Sequence, residues 1–162
     1  MTSAISDIVA FVSDLREVLR QQGLSIDRQE VKPLVRELNT AVLTLRGELV
    51  TLKRAVEGGN INDASIVSQA LALSGSADKM MRAVKALFDK ASPFDMELER
   101  YRVDIVRLAS TRAGTVEGIR IITITPIDGR INRAALLREL TTAIQQSDLL
   151  LPAVQVLAEE LG

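Results

Sequence analysis

The sequence predicts an all-α fold: an antiparallel bundle of four long helices plus a shorter N-terminal helix, as a single domain over residues 1–162. Three observations predict it. Apolar side chains recur every third or fourth position along most of the chain, the spacing that lines one face of a helix. Aromatics are only 2% of residues while apolar residues reach 47%, so the core must be aliphatic, of the kind that fills the seams of bundles. Helix-start signals near 27, 60, 92 and 130 recur about every 33 residues, and helices of that length span roughly 45 Å. Short loops between such helices force antiparallel neighbours. No residue identity repeats between the segments, so hairpin geometry explains the interval better than an internal repeat does.

The first helix is expected over about 3–22, where Ile5, Ile8, Val12, Leu15 and Leu19 share a face and Gly23 provides a left-handed end. The second spans about 27–57. Asp27 and Glu30 form a capping box, flanked by Ile26 and Val31 as a hydrophobic staple. Pro33 falls beyond the first turn and should bend the helix or push its regular start towards Lys32. The stripe Val31, Val35, Leu38, Val42, Leu45, Leu49, Leu52, Val56 alternates steps of four and three without a slip. Leu43 and Val50 make a second greasy edge, so this helix should be surrounded by several others rather than paired with one. Its stripe should face the third, fourth and fifth helices, with the first covering Leu43 and Val50.

The third helix, about 61–91, follows Asn60, Asn62 or Asp63 as cap. Its heptad phase runs through Gly75 in the "SGS" at 74–76, which favours one continuous helix over a hinge. A fourth helix, about 93–113, starts at "SPFD" with Ser92 as cap and Pro93 in the first helical position. Arg100 and Asp104 sit four apart on its charged outer face. "GIRIITITP" at 118–126 breaks the pattern. It is crowded with Ile and Thr, and a helix there costs on the order of 5 kcal/mol against alanine. Local preference therefore favours a short extended segment at 118–125, although no second strand lies nearby to pair with it and Ile119 and Ile122 keep the helical register after Leu108, which leaves a helix as the alternative. "PIDG" at 126–129 is a turn. The last helix, about 130–161, is capped by Asp128 or Asn132, with a kink or break expected near 147–152 at "SDLLLP".

The residue inventory narrows the chemistry. With no His and no Cys, His-dependent nucleophilic triads, the usual zinc sets and thiolate reactions have no ligands or bases here. Neither a cofactor nor a metal is expected. Ser76 and Lys79 fit S-x-x-K, but the companion motifs of that chemistry are absent, so a helix surface is the better reading. Glu97 with Glu99, and Glu159 with Glu160, are neighbouring acids on solvated faces. Lys79, Arg82, Lys85 and Lys90 make a modest basic face diluted by Asp78 and Asp89. A net charge of −1 gives no field to draw nucleic acid, and the scarce aromatics offer no stacking platform.

No stretch is long and apolar enough for a membrane span, and the N-terminal stretch lacks the basic start of a secretion signal. A cytoplasmic location is expected. These features predict a non-enzymatic interaction, adaptor or assembly module that binds a protein partner or a second copy of itself. The candidate surface is Ile119, Ile121, Ile122 and Ile124, together with Leu43 and Val50. If 118–125 is extended, its free edge can pair between subunits. The alternatives are an amphipathic bundle that touches lipid surfaces peripherally, and a small-molecule sensor using Tyr101, Arg102 or Ser74.

Overall fold

The structure is a computed structural model that describes residues 4–22, 28–111 and 116–162. It is all-α, and no strand occurs among the described residues. Along those residues seven helices follow in order: α1 (Ala4–Gln22), α2 (Arg28–Gly58), α3 (Asp63–Ala91), α4 (Met96–Glu99), α5 (Arg102–Thr111), α6 (Glu117–Ile124) and α7 (Arg133–Leu161). A 3₁₀ turn, Ser92–Phe94, joins α3 to α4.

Three long helices form the frame. α2 packs along both α3 and α7, and every residue of its expected stripe is buried. The fourth position is filled by the α4–α6 segment. α5 and α6 both lie on α3, and α6 also meets α7. Beside α5 the space next to α7 belongs to α1, which packs on α7 and touches α4 and α5. α1 thus acts as a wedge at one end of the bundle, and α6 closes the other end. Ile8, Phe11, Val12, Leu15 and Leu19 of α1 are fully buried in this gap. The first helix therefore does not cover Leu43 and Val50. Its partners are α7 and α5, because those helices stand apart where it enters.

Local chemistry explains the ends. Asn62 accepts a hydrogen bond from the Ser65 amide at 2.8 Å and caps α3. Asn132 caps α7 through the Ala135 amide at 3.1 Å. Asp128 is not the cap. It and Gly129 take positive φ (52° and 75°), forming the two-residue centre of a tight turn. The Ile127 amide donates to the Arg130 carbonyl at 2.9 Å, and the reverse bond is 3.0 Å. Two consecutive left-handed residues are what an Asp-Gly type I′ turn requires. Gly59, with φ of 74°, ends α2. Gly23 and the Asp27 box lie outside the described residues. Arg28, at the start of α2, donates to the Leu19 carbonyl at 3.0 Å and the Glu160 carbonyl at 2.9 Å. One guanidinium thus satisfies acceptors near the ends of both α1 and α7, where helix dipoles favour a cation.

Further expectations about the helices need correction. Pro33 does not push the start of α2 towards Lys32, since the helix is regular from Arg28. Its ring is exposed, so the missing amide costs a bond at the surface without disturbing the core. α7 continues through Pro152 unbroken, with Ser147, Leu150, Val154 and Leu157 holding the buried phase across it. Buried Ser147 satisfies its hydroxyl by donating to the Ala143 carbonyl at 3.0 Å.

The fourth helix is not a single helix over 93–113. Asp95, rather than Ser92, caps it, accepting from the Glu97 amide at 2.7 Å. The helix then tightens at Arg100 and Tyr101, where the Tyr101 amide bonds to the Leu98 carbonyl at 3.1 Å. That tightened turn aims the Tyr101 ring at Phe11. Arg100 pairs with Asp14 and Glu97, not with Asp104, which pairs instead with Arg107.

Residues 117–124 are helical, not extended. Val116, Ile119 and Thr123 fall at helical spacing and are buried. Burying the two aliphatics contributes about 3–6 kcal/mol, comparable with the propensity cost of so many β-branched residues. A lone strand would have had no ladder to offset it. The Thr123 hydroxyl donates to the Arg120 carbonyl at 2.8 Å, and Arg120 pairs with Glu117 at 3.0 Å.

Candidate interaction surface

The segment from Met96 to Ile127 carries the unusual surface. Six of the nine large apolar side chains exposed among the described residues lie on it: Met96, Val103, Val106, Ile121, Ile124 and Ile127. Each helix arrives there for a reason visible in its spacing. On α5, Ile105 is buried against the core, so Val103 and Val106 turn outward. On α6, Ile119 and Thr123 turn inward and Ile122 is half-buried, which leaves Ile121 48% and Ile124 58% exposed. An eight-residue helix that is apolar on both sides is expected to be covered on both.

The expected partner residues separate into three groups. Ile119 is core, 1% exposed, and is withdrawn from the surface. Ile121, Ile124 and the half-buried Ile122 share α6. Leu43, 46% exposed, and half-buried Val50 lie on α2. Since α2 and α6 each pack between α3 and α7, they occupy opposite corners and their outer faces point apart. The six residues are therefore not one patch. Met96, Val103, Val106 and Ile127 were missed in the sequence. The signal that could have found them was the misfit of residues 103 and 106 to the buried phase set by Leu98, Tyr101 and Ile105.

The charges along this segment are already matched. Arg102 bonds Glu99 at 2.7 Å, which holds the Glu99 carboxyl below its ordinary value, and its guanidinium lies 5.1 Å from the centre of the Phe88 ring. The Tyr101 hydroxyl donates to Asp14, and Arg100 donates to both Asp14 and, at 2.8 Å, the Tyr101 oxygen. Burial, then the bond to Asp14, raises the Tyr101 phenol above its usual value. Phe11, Phe88 and Tyr101 form an edge-to-face cluster, with Phe11 5.5 Å and 5.9 Å from the other two rings. This is structural chemistry that pins α1 and α5 together.

A second open face lies on α2 and α3. A groove of about 720 Å³ is lined by Glu37, Thr40, Thr44 and Glu48 on one wall and Ser76, Lys79 and Arg82 on the other. It adjoins a second groove of about 500 Å³ bounded by Leu43, Gly47, Thr51 and Ala72. Ser76 donates to Glu48 at 2.8 Å, so Ser76 and Lys79 do not form a nucleophile–base pair. Of the remaining basic residues, Lys85 pairs with Asp89 and Lys90 with Glu30. Ser74 donates to the Ala70 carbonyl, Tyr101 to Asp14 and Arg102 to Glu99, and none of the three lines either of these grooves. Among the described residues no acidic cluster is arranged to hold a metal ion, and no helix is long and apolar enough to cross a membrane.

What fold and surface define is an all-α bundle with a fragmented, outwardly apolar fourth position. Comparison with family models, curated proteins and solved structures returned no match, so function has to be read from this chain alone.

Proposed function

We propose that this chain is a non-enzymatic interaction module, an adaptor or assembly subunit of the cytoplasm, that docks a protein partner on the outer face of α5 and α6. The observation that carries this reading is the concentration of exposed large apolar side chains between Met96 and Ile127. Contiguous apolar surface is what protein interfaces bury at their centres. The cations agree. From residue 91 to the C-terminus there are eight Arg and no Lys, whereas the first 90 residues hold all five Lys. Interfaces enrich Arg and Met and deplete Lys. Several of these Arg already pair with neighbouring acids, so the face offers matched charge around an apolar strip rather than a positive field.

The test is site-specific photocrosslinking in the native cell from position 124, with Leu149, exposed at 63% on α7, as control position. A discrete protein adduct from 124, absent from 149 and lost in Ile121→Lys, is the expected result. Adducts that are identical at both positions, or that are lipid alone, would reject the reading.

A further inference from the structure

We propose that Met96 is a modification site: a hydroperoxide oxidises its thioether to the sulfoxide, and the sulfoxide weakens docking on the α5–α6 face. The regulatory half of this inference rests on that docking role; the site itself does not.

Exposure singles the residue out. The chain has four methionines and no cysteine, so methionine is its only sulfur. Met1 lies outside the described residues. Met80 and Met81 are buried in α3, at 1% and 5% exposure, whereas Met96 is 91% exposed. A thioether oxidises as fast as the oxidant reaches its sulfur, so access alone separates Met96 from the two core residues. The backbone at Met96 is fixed. Asp95 caps α4 by accepting from the Glu97 amide at 2.7 Å, and the Leu98 amide bonds to the Asp95 carbonyl at 3.2 Å. The side chain stands in solvent from that anchored helix start.

Position gives the oxidation a consequence. Buried Leu98, Tyr101 and Ile105 mark the inner side of α4 and α5. Met96 lies on the outer side with Val103, which follows seven residues on, roughly 10 Å along the helix axis. Met96 is therefore one end of the apolar strip. Methionine suits such a surface, because its unbranched, polarisable side chain adapts to whatever covers it.

The reaction moves one oxygen atom and two electrons. The sulfur lone pair attacks one oxygen of the hydroperoxide, an S–O bond forms and the O–O bond breaks. The departing oxygen takes up the proton and leaves as water, or as an alcohol from an organic hydroperoxide. The product carries a strong acceptor at an apolar position, and Arg100, one turn on, is already bonded to Asp14 and the Tyr101 oxygen. Covering that acceptor without a donor weakens docking roughly fivefold or more. A docked partner in turn shields the sulfur, so oxidation acts on the free face. A dithiol reductase reverses the step: two thiols become a disulfide and the oxygen leaves as water.

The test has two arms. In the first, the purified full chain is treated with hydrogen peroxide and its peptides are mapped by mass spectrometry. Met96 should gain one oxygen at least about tenfold faster than Met80 and Met81. Equal rates overturn the site. In the second, crosslinking from position 124 is repeated in cells with and without a peroxide pulse, and the ratio of treated to untreated adduct is read in each variant. The ratio should fall severalfold in the wild-type chain and stay level in Met96→Leu, which has no sulfur to oxidise there. Met96→Gln, polar without any oxidant, should lower the untreated yield. A level ratio in the wild-type chain, or an equal fall in Met96→Leu, overturns the regulation. No adduct from the untreated wild-type chain is a different failure: it removes the docking role, and the regulation with it, while the peptide map still decides the site.

Discussion

Replacing Phe11 with alanine tests the wedge role of α1 most directly. Phe11 is fully buried and is the ring around which Phe88 and Tyr101 gather, at 5.5 Å and 5.9 Å with interplanar angles of 62°. Truncating a buried phenylalanine costs about 3–5 kcal/mol from lost transfer free energy and the cavity left behind. Here the upper half of that range applies, since the site loses two edge-to-face contacts and its walls are held by Tyr101 bonded to Asp14. A chain of this length shifts its melting temperature by about 2–4 °C per kcal/mol, so the expected fall is on the order of 10–15 °C. Urea denaturation followed by far-ultraviolet circular dichroism measures the free energy, and Phe11→Leu, expected to cost about 1–2 kcal/mol, controls for mere change of shape. Should Phe11→Ala cost less than about 1 kcal/mol with an unchanged urea slope, α1 is not seated between α5 and α7 and the account of that end of the bundle is wrong.

Tyr101 is the chain's single tyrosine, so alkaline ultraviolet titration reads it alone. Burial favours the neutral phenol, so its contribution to stability is full below the ordinary value near 10 and is lost as pH rises from there through the folded value. A titration midpoint at or below that ordinary value would contradict the buried, Asp14-bonded geometry. Gly75→Ala, in open space, should raise the unfolding free energy by up to about 1 kcal/mol, measured by denaturant titration. Arg28→Ala should cost about 1–3 kcal/mol by losing two charge-assisted bonds to helix-end carbonyls, with faster amide exchange in the last turns of α1 and α7. Ile119→Ala should cost about 2–4 kcal/mol and Ile124→Ala under about 0.5, a contrast in thermal melts that vanishes if α6 is rotated.

Where the sequence pattern could be read, periodicity was the guide. The α2 stripe from Val31 to Val56 and the α3 run from Ile66 to Leu87 are buried as spaced, because a long unbroken phase leaves one face that can point inward. Neither proline interrupts its helix, and for one reason: Pro33 and Pro152 sit on solvent-facing positions, where a missing amide costs little and neighbouring buried residues keep the helix continuous. α6 misled in the opposite direction. Its Ile and Thr residues prefer strand locally, but Val116, Ile119 and Thr123 share a helical face against α3 and α7, and tertiary burial overrode preference. The placement of α1 was not legible at all. Its own stripe says only that it packs, not on what; the answer depended on the gap that Tyr101 and the short α4 open between α5 and α7.

The partner surface was half legible for a related reason. Ile121 and Ile124 stood out because the Ile-rich segment read as an unpaired extended edge, and they remain exposed although the segment is helical. Val103 and Val106 fall on the outer face left by the spacing of Leu98, Tyr101 and Ile105, and they were hidden because the charges of that face read as a solvated surface. Leu98, Tyr101 and Ile105 are buried at helical spacing and the two valines are left outside. A straight, continuous fourth helix would pack along α3 and α7 throughout and leave no place for α1. Breaking it admits α1 and its aromatic anchor, and the fragments that remain are too short to bury all their apolar residues. Stability is supplied by the wedge, and the surplus is left at the surface.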